Sequence, residues 1–311
     1  MILVFCGTPS FAVPTLQALV AAGHSVPLVV SQPDRPRGRG MEMVASPVKE
    51  AAVGLHIPIV QPSTIKNNEE FRAQLAAIAP DAIIVVGYGR IIPQWMVDLP
   101  RFGNLNVHAS LLPKYRGAAP IQWAIASGET VTGVTTMRID AGLDTGDILM
   151  QRELPISMDD TAETIAPKLA AIGAELMIET LRGLESGTIT SIPQDDSRAS
   201  LAPILTKDDG RMDFTRPAAA LFNRMRGFRP WPGAFTTFRL KTLQVQRARA
   251  MQNAATVPPG TIIVDGTHLL VICGARTALE LSEVQMEGKR RMTAQEFLNG
   301  YQPKTGERLG E

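Results

Sequence analysis

Cysteine is nearly absent from this 311-residue chain, Cys6 and Cys273 being the only two. That excludes a disulfide framework and a cysteine-based zinc cluster, and it suits a reducing cytosol. Cys6 closes the first apolar run with no base beside it, so it reads as a buried thiol and not a nucleophile. No apolar run reaches the roughly 18 residues of a membrane span. The opening MILVFCG is too short and uncharged for a signal peptide, so a cytoplasmic protein without membrane attachment is expected. The GxGxxG fingerprint of dinucleotide binding is missing too: GTPSFAVP (7–14) follows the first strand with one glycine and two prolines. A pyrophosphate cannot pack tightly there, so no NAD is expected. Internal repeats and low-complexity tracts are lacking, and no long apolar seam calls for an obligate dimer, so a monomer is expected.

What is present is enough apolar material, 45% of residues, for a large core, and a length that favours two domains. Net charge is only +1, yet unevenly spread. Residues 209–311 carry fifteen Lys/Arg against nine Asp/Glu, whereas residues 1–208 carry sixteen against twenty-one. A basic tail domain behind an acidic one is either a solvated surface or the footprint of a polyanionic partner.

Strand-like runs alternate with helical stretches through the first half. Strands are expected at 2–6, 26–31, 57–61, 81–87, 105–108 and 134–139, and helices near 11–22, 47–53, 69–79, 93–99 and 120–127. Parallel neighbours need helical crossovers, so residues 1–193 are expected to form an α/β domain with a Rossmann-like, doubly wound, mostly parallel sheet. Residues 194–207 (QDDSRASLAPILTK) are small and polar without periodicity and read as an interdomain linker. Over 208–311, one helix precedes five short β-type runs, the pattern of a small barrel, and Thr293 with Glu296 frames a last helix.

Three polar residues escape this periodicity. Asn106 and His108 lie two apart on the strand within GNLNVHASLLPKYRGAAPIQW (103–123), so they share a face. They sit near the carboxyl end, where open α/β sheets bind ligands. Asp144 follows 36 residues later. An amide donor, an imidazole and a carboxylate that meet in space can move a proton and steady an oxyanion. Taken alone, His108 would read as a hydrogen-bonded structural histidine. Around Asp144, RIDAGLDTGDIL (138–149) holds Asp140, Asp144 and Asp147 among glycines. The alternatives there are a turn with capping aspartates or a divalent-ion site, but the spacing matches no metal motif, and no metal is expected.

Two further segments carry open readings. SQPDRPRGRG (31–40) places Arg35, Arg37 and Arg39 in a flexible segment, either for phosphate contacts or as a solvated basic loop. With no aromatic interleaved, base stacking is not supported. VVGYGRIIP (85–93) ends the fourth strand in Gly-Tyr-Gly, with Ile91 and Ile92 either packed in the core or lining a planar heterocycle pocket.

NVHASLLPKYRGAAPIQ followed by DAGLDTGDIL resembles the formyltransferase family that uses 10-formyltetrahydrofolate, whose hallmark is Asn-x-His-x-Ser-Leu-Leu-Pro and a later Asp. The similarity extends in order through GTPSFAVP, SQPDRPRGRG, SPVK (46–49), VVGYGRIIP and FRPWPGAF (228–235), across both expected domains. These segments are similar to those of members that act on methionyl-tRNA. The resemblance implies a Rossmann-like catalytic domain and an OB-fold-like, tRNA-binding barrel. It implies transfer of the formyl group of 10-formyltetrahydrofolate to the α-amine of initiator methionyl-tRNA. A sugar-nucleotide or ribonucleotide amine is the alternative acceptor within the family.

On that resemblance Asn106, His108 and Asp144 are catalytic. Ser110, Leu111, Leu112, Pro113, Arg90, Ile91, Ile92 and Asp140 line the folate, and Arg35, Arg37 and Arg39 meet phosphates or bases of the tRNA acceptor stem. Where relatives often extend the basic loop with lysines, this chain has Met41-Glu42-Met43. A non-catalytic RNA-binding protein would keep the basic domain without needing the trio, and a nicotinamide-dependent dehydrogenase would need the missing glycines.

Overall fold

Short runs of Val, Ile and Leu with both faces apolar are satisfied inside a sheet covered by helices, and the first half of the chain folds that way. The computed structural model describes residues 1–37, 41–253 and 255–311, apart from the side chain of Arg37. One unit comprises Met1–Pro120, Val131–Pro155 and Ile165–Pro203, and the other Ile121–Thr130, Ile156–Thr164 and Ile204–Glu311.

In the first unit β1 (Ile2–Gly7) leads through α1 (Val13–Ala21) to β2 (Ser25–Val30). A hairpin of β3 (Arg35–Arg37) and β4 (Glu42–Val44) precedes α2 (Pro47–Gly54) and the short β5 (Ile59–Val60). Then α3 (Glu69–Ile78) returns to β6 (Ala82–Val86), and α4 (Gln94–Val97) to β7 (Asn104–His108). The chain then passes through α5 (Pro120–Ala126), which from Ile121 on is assigned to the other unit. Next come β8 (Val131–Arg138), β9 (Ile148–Pro155) and the long α6 (Ala162–Ser186), whose first three residues are likewise assigned there. The seven-stranded sheet has the order β5-β2-β1-β6-β7-β8-β9. Strand order reverses between β1 and β6, so their carboxyl ends frame the crevice where such sheets take ligands. β6 is buried along its whole length and β1 from Leu3 onward. Burial pushes the Cys6 thiol far above its usual range, which leaves it inert as a nucleophile.

The pairing is parallel from β5 to β7 and then changes. β8 pairs antiparallel with β7, and β9 with β8. Residues 139–147 reverse the chain between β8 and β9 without a crossover helix, which only antiparallel neighbours permit. Leu105 stands opposite Arg138 and His108 opposite Thr135. The 139–147 loop therefore leaves the sheet three residues short of His108, about 10 Å along the strand.

Two segments are more ordered than their composition implies. The arginine-rich stretch, expected as a flexible loop, contains paired strands: Arg35 opposes Val44 and Arg37 opposes Glu42. Arg39 lies outside the described residues. The first nine residues of the expected linker lie along the loop after β7. Arg116 N donates to Ser200 O (2.8 Å), Ala202 N to Arg116 O (2.7 Å) and Ala119 N to Ala202 O (3.2 Å). Gly117 permits this approach: its φ is +121°, and a Cβ there would fall 2.7 Å from Ala202 O. Small polar residues in 194–202 thus serve a hydrogen-bonded strap.

In the second unit α7 (Ala218–Gly227) precedes β10 (Phe235–Phe238), β11 (Lys241–Gln252), β12 (Ile262–Asp265), β13 (His268–Cys273), β14 (Thr277–Met286), β15 (Met292–Thr293) and α8 (Ala294–Tyr301). The sheet is antiparallel, ordered β10-β11-β14-β13-β12 with β15 on β14. Register breaks on either side of Arg247 mark a bulge that bends the long β11, the usual means of curling a sheet toward a barrel. Among the described residues the hydrogen-bonded path ends at β10 and β12, a partly open form. Phe238 and Phe297 meet edge-on at 5.2 Å within its core. Thr293 and Glu296 cap α8 reciprocally. No helix among the described residues is long and apolar enough to cross a membrane.

Candidate active site

Alternation along β7 puts Asn104, Asn106 and His108 on one face, and each has a different fate. Asn104 is fully buried, and its Nδ2 donates to Met96 O (2.7 Å) and Val97 O (3.3 Å), tying the strand to α4. Asn106 is half-buried, and its side-chain amide makes no hydrogen bond among the described residues. His108 is buried, with Nε2 2.9 Å from Tyr115 O. A carbonyl oxygen only accepts, so Nε2 donates, and Nδ1 is the nitrogen left for chemistry. That Nδ1 faces Asp144 Oδ2 at 3.6 Å, within ion-pair range but beyond a hydrogen bond.

The loop before β9 places Asp144 by unusual backbone. Asp144 has φ +53°, a left-handed conformation that Asp tolerates better than most residues. Its Oδ2 also accepts from Gly117 N at 2.8 Å. Gln194 Nε2 donates to Asp144 O (2.9 Å) and Gly146 O (2.7 Å), so the strap holds the loop from outside. Asp140 works inside the same loop, accepting from Gly142 N (3.0 Å) and from Thr145 Oγ1 on both carboxylate oxygens (2.7 and 2.9 Å). That is the turn-capping role open for these aspartates in the sequence.

The other expected folate residues divide in the same way. Ser110 is fully buried, its Oγ donating to Lys114 O (2.6 Å), and Leu112 is buried beside it. Thr135 Oγ1 donates to Ser110 O (2.7 Å) and accepts from Leu112 N (3.1 Å), while Gln151 Nε2 reaches Leu112 O (2.9 Å). Ser110 and Leu112 therefore build the turn, and Leu111 and Pro113, half-buried, are its accessible members. Ile91 is 91% exposed, Ile92 half-buried against the core, and Arg90 half-buried. The Gly-Tyr-Gly turn approaches protein. A Cβ at Gly87 would meet Pro9 Cγ at 2.8 Å, and one at Gly89 would meet Gln32 Nε2 at 2.7 Å. Tyr88 is buried, which pushes its phenol up to about 12 and removes it as an acid–base candidate.

The arginine hairpin is rooted in a polar cluster at the carboxyl end of β2. Arg35 Nη2 donates to Gln32 Oε1 (2.5 Å), and Gln32 Nε2 to Tyr88 O (2.8 Å) and Gly89 O (3.2 Å). Hydrogen bonds from Gln61 and Lys49 hold the Asp34 carboxyl below its usual range. The backbone of Arg37 lies on β3. Sequence reasoning did not single out Gln32, Arg116, Thr135, Gln151 or Gln194 as functional. Each bonds to partners far along the chain, 78 residues apart for the Arg116–Gln194 pair, so no local pattern marked them.

A half-buried free amide, an imidazole with one uncommitted nitrogen and a carboxylate beside it form a set suited to acyl transfer: an oxyanion donor and a proton carrier with its counter-charge. Comparison with known proteins agrees with this chemistry. The formyl transferase model matches residues 1–181, and the formyl transferase, C-terminal domain model matches residues 204–302. A methionyl-tRNA formyltransferase of Koribacter versatilis is 65% identical, over 100% of this chain and 99% of its own length. One from Acidobacterium capsulatum is 61% identical over the full length of both. The crystal structure of an N-formyltransferase from Helicobacter canadensis, in complex with folinic acid and dTDP-3-aminofucose, superposes with a TM-score of 0.67 at 19% identity. It covers 92% of this chain and 100% of its own, a likeness of fold. By sequence over its whole length and by fold, the chain belongs to the formyl transferase family, alongside the methionyl-tRNA formyltransferases.

Proposed function

We propose that this chain transfers the formyl group of 10-formyltetrahydrofolate to the α-amino group of initiator methionyl-tRNA, producing N-formylmethionyl-tRNA for the start of translation. The observation that carries this reading is full-length identity of 61–65% to relatives of that name. It is supported by Asp144 facing His108 at 3.6 Å and by Asn106 sharing the strand face of His108. The enzyme acts as a monomer in the cytoplasm.

The amine attacks the formyl carbon and the carbonyl oxygen takes up negative charge. Collapse of that tetrahedral adduct breaks the bond from the formyl carbon to N10, which takes a proton and leaves as tetrahydrofolate, while the amine loses one. Asn106 suits that oxygen because its amide makes no hydrogen bond among the described residues and its strand is paired on both sides, opposite Val85 and Met137. Nδ1 of His108 is the site for proton exchange with the reacting nitrogens, since Nε2 is held by Tyr115 O. Asp144 steadies positive charge on the imidazole and, through water, takes the proton of the attacking amine. Leu111, Pro113 and the exposed Ile91 offer the apolar contacts a pterin and its linker need, with Arg90 at their side. Arg35, Arg37 and Arg39 meet phosphates or bases of the acceptor stem, and the basic second domain follows the tRNA backbone.

The test incubates the protein with 10-formyltetrahydrofolate and a mixture of charged initiator tRNA, free methionine and an amino-sugar nucleotide. Mass detection of formyl-methionine released from the tRNA supports the reading. Formylation of the sugar nucleotide alone would replace it.

A further inference from the structure

Gln194 belongs to the strap after α6, and all four hydrogen-bonding positions of its side-chain amide are occupied. Its Oε1 accepts from Arg116 Nε (3.0 Å) and Nη2 (2.8 Å), and its Nε2 donates to the carbonyl oxygens of Asp144 and Gly146. Arg116 is itself buried, and its Nη2 also reaches Asp196 Oδ1 at 2.8 Å. Its backbone is paired on both sides with the strap, at Ser200 O and Ala202 N. Burial and the bond to Asp196 orient the guanidinium, which presents its fork of Nε and Nη2 to the amide oxygen.

The two carbonyls held by Nε2 lie where the loop is hardest to place. The loop leaves β8 opposite Leu105 and must fold back to bring Asp144 to His108. Asp144 is left-handed, at φ +53°. Gly146 is pressed so close that a Cβ would overlap Arg138 O. A strained residue on a folded-back loop keeps its geometry only when its surroundings over-determine it. Gln194 supplies two of the restraints, and Gly117 N, next in sequence to Arg116, supplies a third on the carboxylate itself.

We propose that Gln194, oriented by Arg116, is a positioning residue for formyl transfer that fixes the Asp144 carboxylate against His108. This deepens the reading above and rests on Asp144 acting in the reaction. The amide is the side chain the site calls for. Glutamate would keep the Arg116 contact but offers no hydrogen to either carbonyl, asparagine is one methylene short, and methionine has the length without either function.

Gln194→Glu is the discriminating variant. Displacing a catalytic group by about 1 Å costs on the order of 100-fold, so kcat should fall about 10- to 100-fold, with KM for both substrates within about threefold. In an Asp144→Ala background the same change should cost nothing further, because the group it positions is gone; single-turnover mass detection reads the residual rate. An unchanged kcat in Gln194→Glu, or an equal loss with and without Asp144, overturns the proposal. If Gln194→Glu melts below the assay temperature, Gln194→Met repeats the cycle without the added charge, and failure of both to fold makes the residue structural and likewise overturns it. A wild-type chain that formylates no methionyl-tRNA defeats the reading beneath it, whereas an active wild type with unaffected variants defeats only the positioning role.

Discussion

One oxygen of Asp144 serves two partners: Oδ2 accepts the Gly117 amide at 2.8 Å and faces His108 Nδ1 at 3.6 Å. The short contact holds the carboxylate while the longer one leaves the imidazole free to exchange a proton. Structure and chemistry at this position can therefore be separated by substitution.

Asp144→Asn keeps an oxygen for Gly117 and removes the charge. Its kcat is expected to fall about 100- to 10,000-fold, the range of a lost acid–base partner, with melting temperature and substrate KM little changed. Single-turnover rates and thermal melts check both halves. A rate within threefold of wild type would remove Asp144 from the reaction.

Asn106 and Asn104 share a strand face and should respond in opposite ways. Asn106→Ala breaks no hydrogen bond among the described residues, so the fold should hold while turnover drops about 100- to 1,000-fold, the cost of one oxyanion donor. Asn104→Ala strips a buried carbonyl at Met96 and a part-buried one at Val97 of their donor. It should cost about 1–3 kcal/mol of stability by denaturant titration. Equal loss of stability in both variants would return Asn106 to a structural role.

The hairpin arginines predict salt dependence. Arg35→Ala should weaken tRNA binding and lower the slope of log K against log salt by about 1, without altering folate affinity. Arg35 also bonds Gln32, so Arg35→Lys, which keeps the charge, should restore most of the slope. Titrations at several salt concentrations decide it; an unchanged slope in Arg35→Ala would remove the residue from the tRNA surface.

In the second unit, Arg239 holds Glu307 through both carboxylate oxygens, at 2.9 and 3.1 Å, and with the Lys304 amide keeps its pKa below the ordinary 4.5. A depressed folded-state pKa stabilises the protein above the unfolded value and loses that contribution as pH falls through the folded one. Glu307→Gln should therefore melt earlier than wild type at pH 7, with the gap closing as pH drops below about 4.5. A gap that is constant with pH would show that packing, and not charge, matters at this position.

Much of the fold was legible locally. The strand–helix alternation of 1–139 and the capping box at Thr293 and Glu296 follow from residues close in sequence, and they appear where expected. Asn106 and His108 could be picked out because two polar side chains on one face of the expected strand 105–108 need a reason. Less legible was anything set by distant partners. The β3–β4 pairing hid under Pro and Arg, residues that read as loop. The antiparallel turn at β8 depends on which edge the strand joins, and hydrophobic runs do not report that. Ser110 and Asp140, expected to line the folate, also bond close in sequence, Ser110 Oγ donating to Lys114 O and Asp140 accepting from Thr145 Oγ1.

Residue order alone dictates where this chain forms strands and helices, which of its side chains can do acyl-transfer chemistry, and the family it joins. Those properties rest on periodicity and on motifs a few residues long. Folding alone settles that Asp144 reaches His108, that Gln194 and Arg116 hold it there, and that the Asn106 amide is unbonded among the described residues while the Asn104 Nδ2 is tied to α4. Each of those outcomes is a polar contact made, or left unmade, between elements brought together by packing, and such a contact leaves no trace in its local sequence.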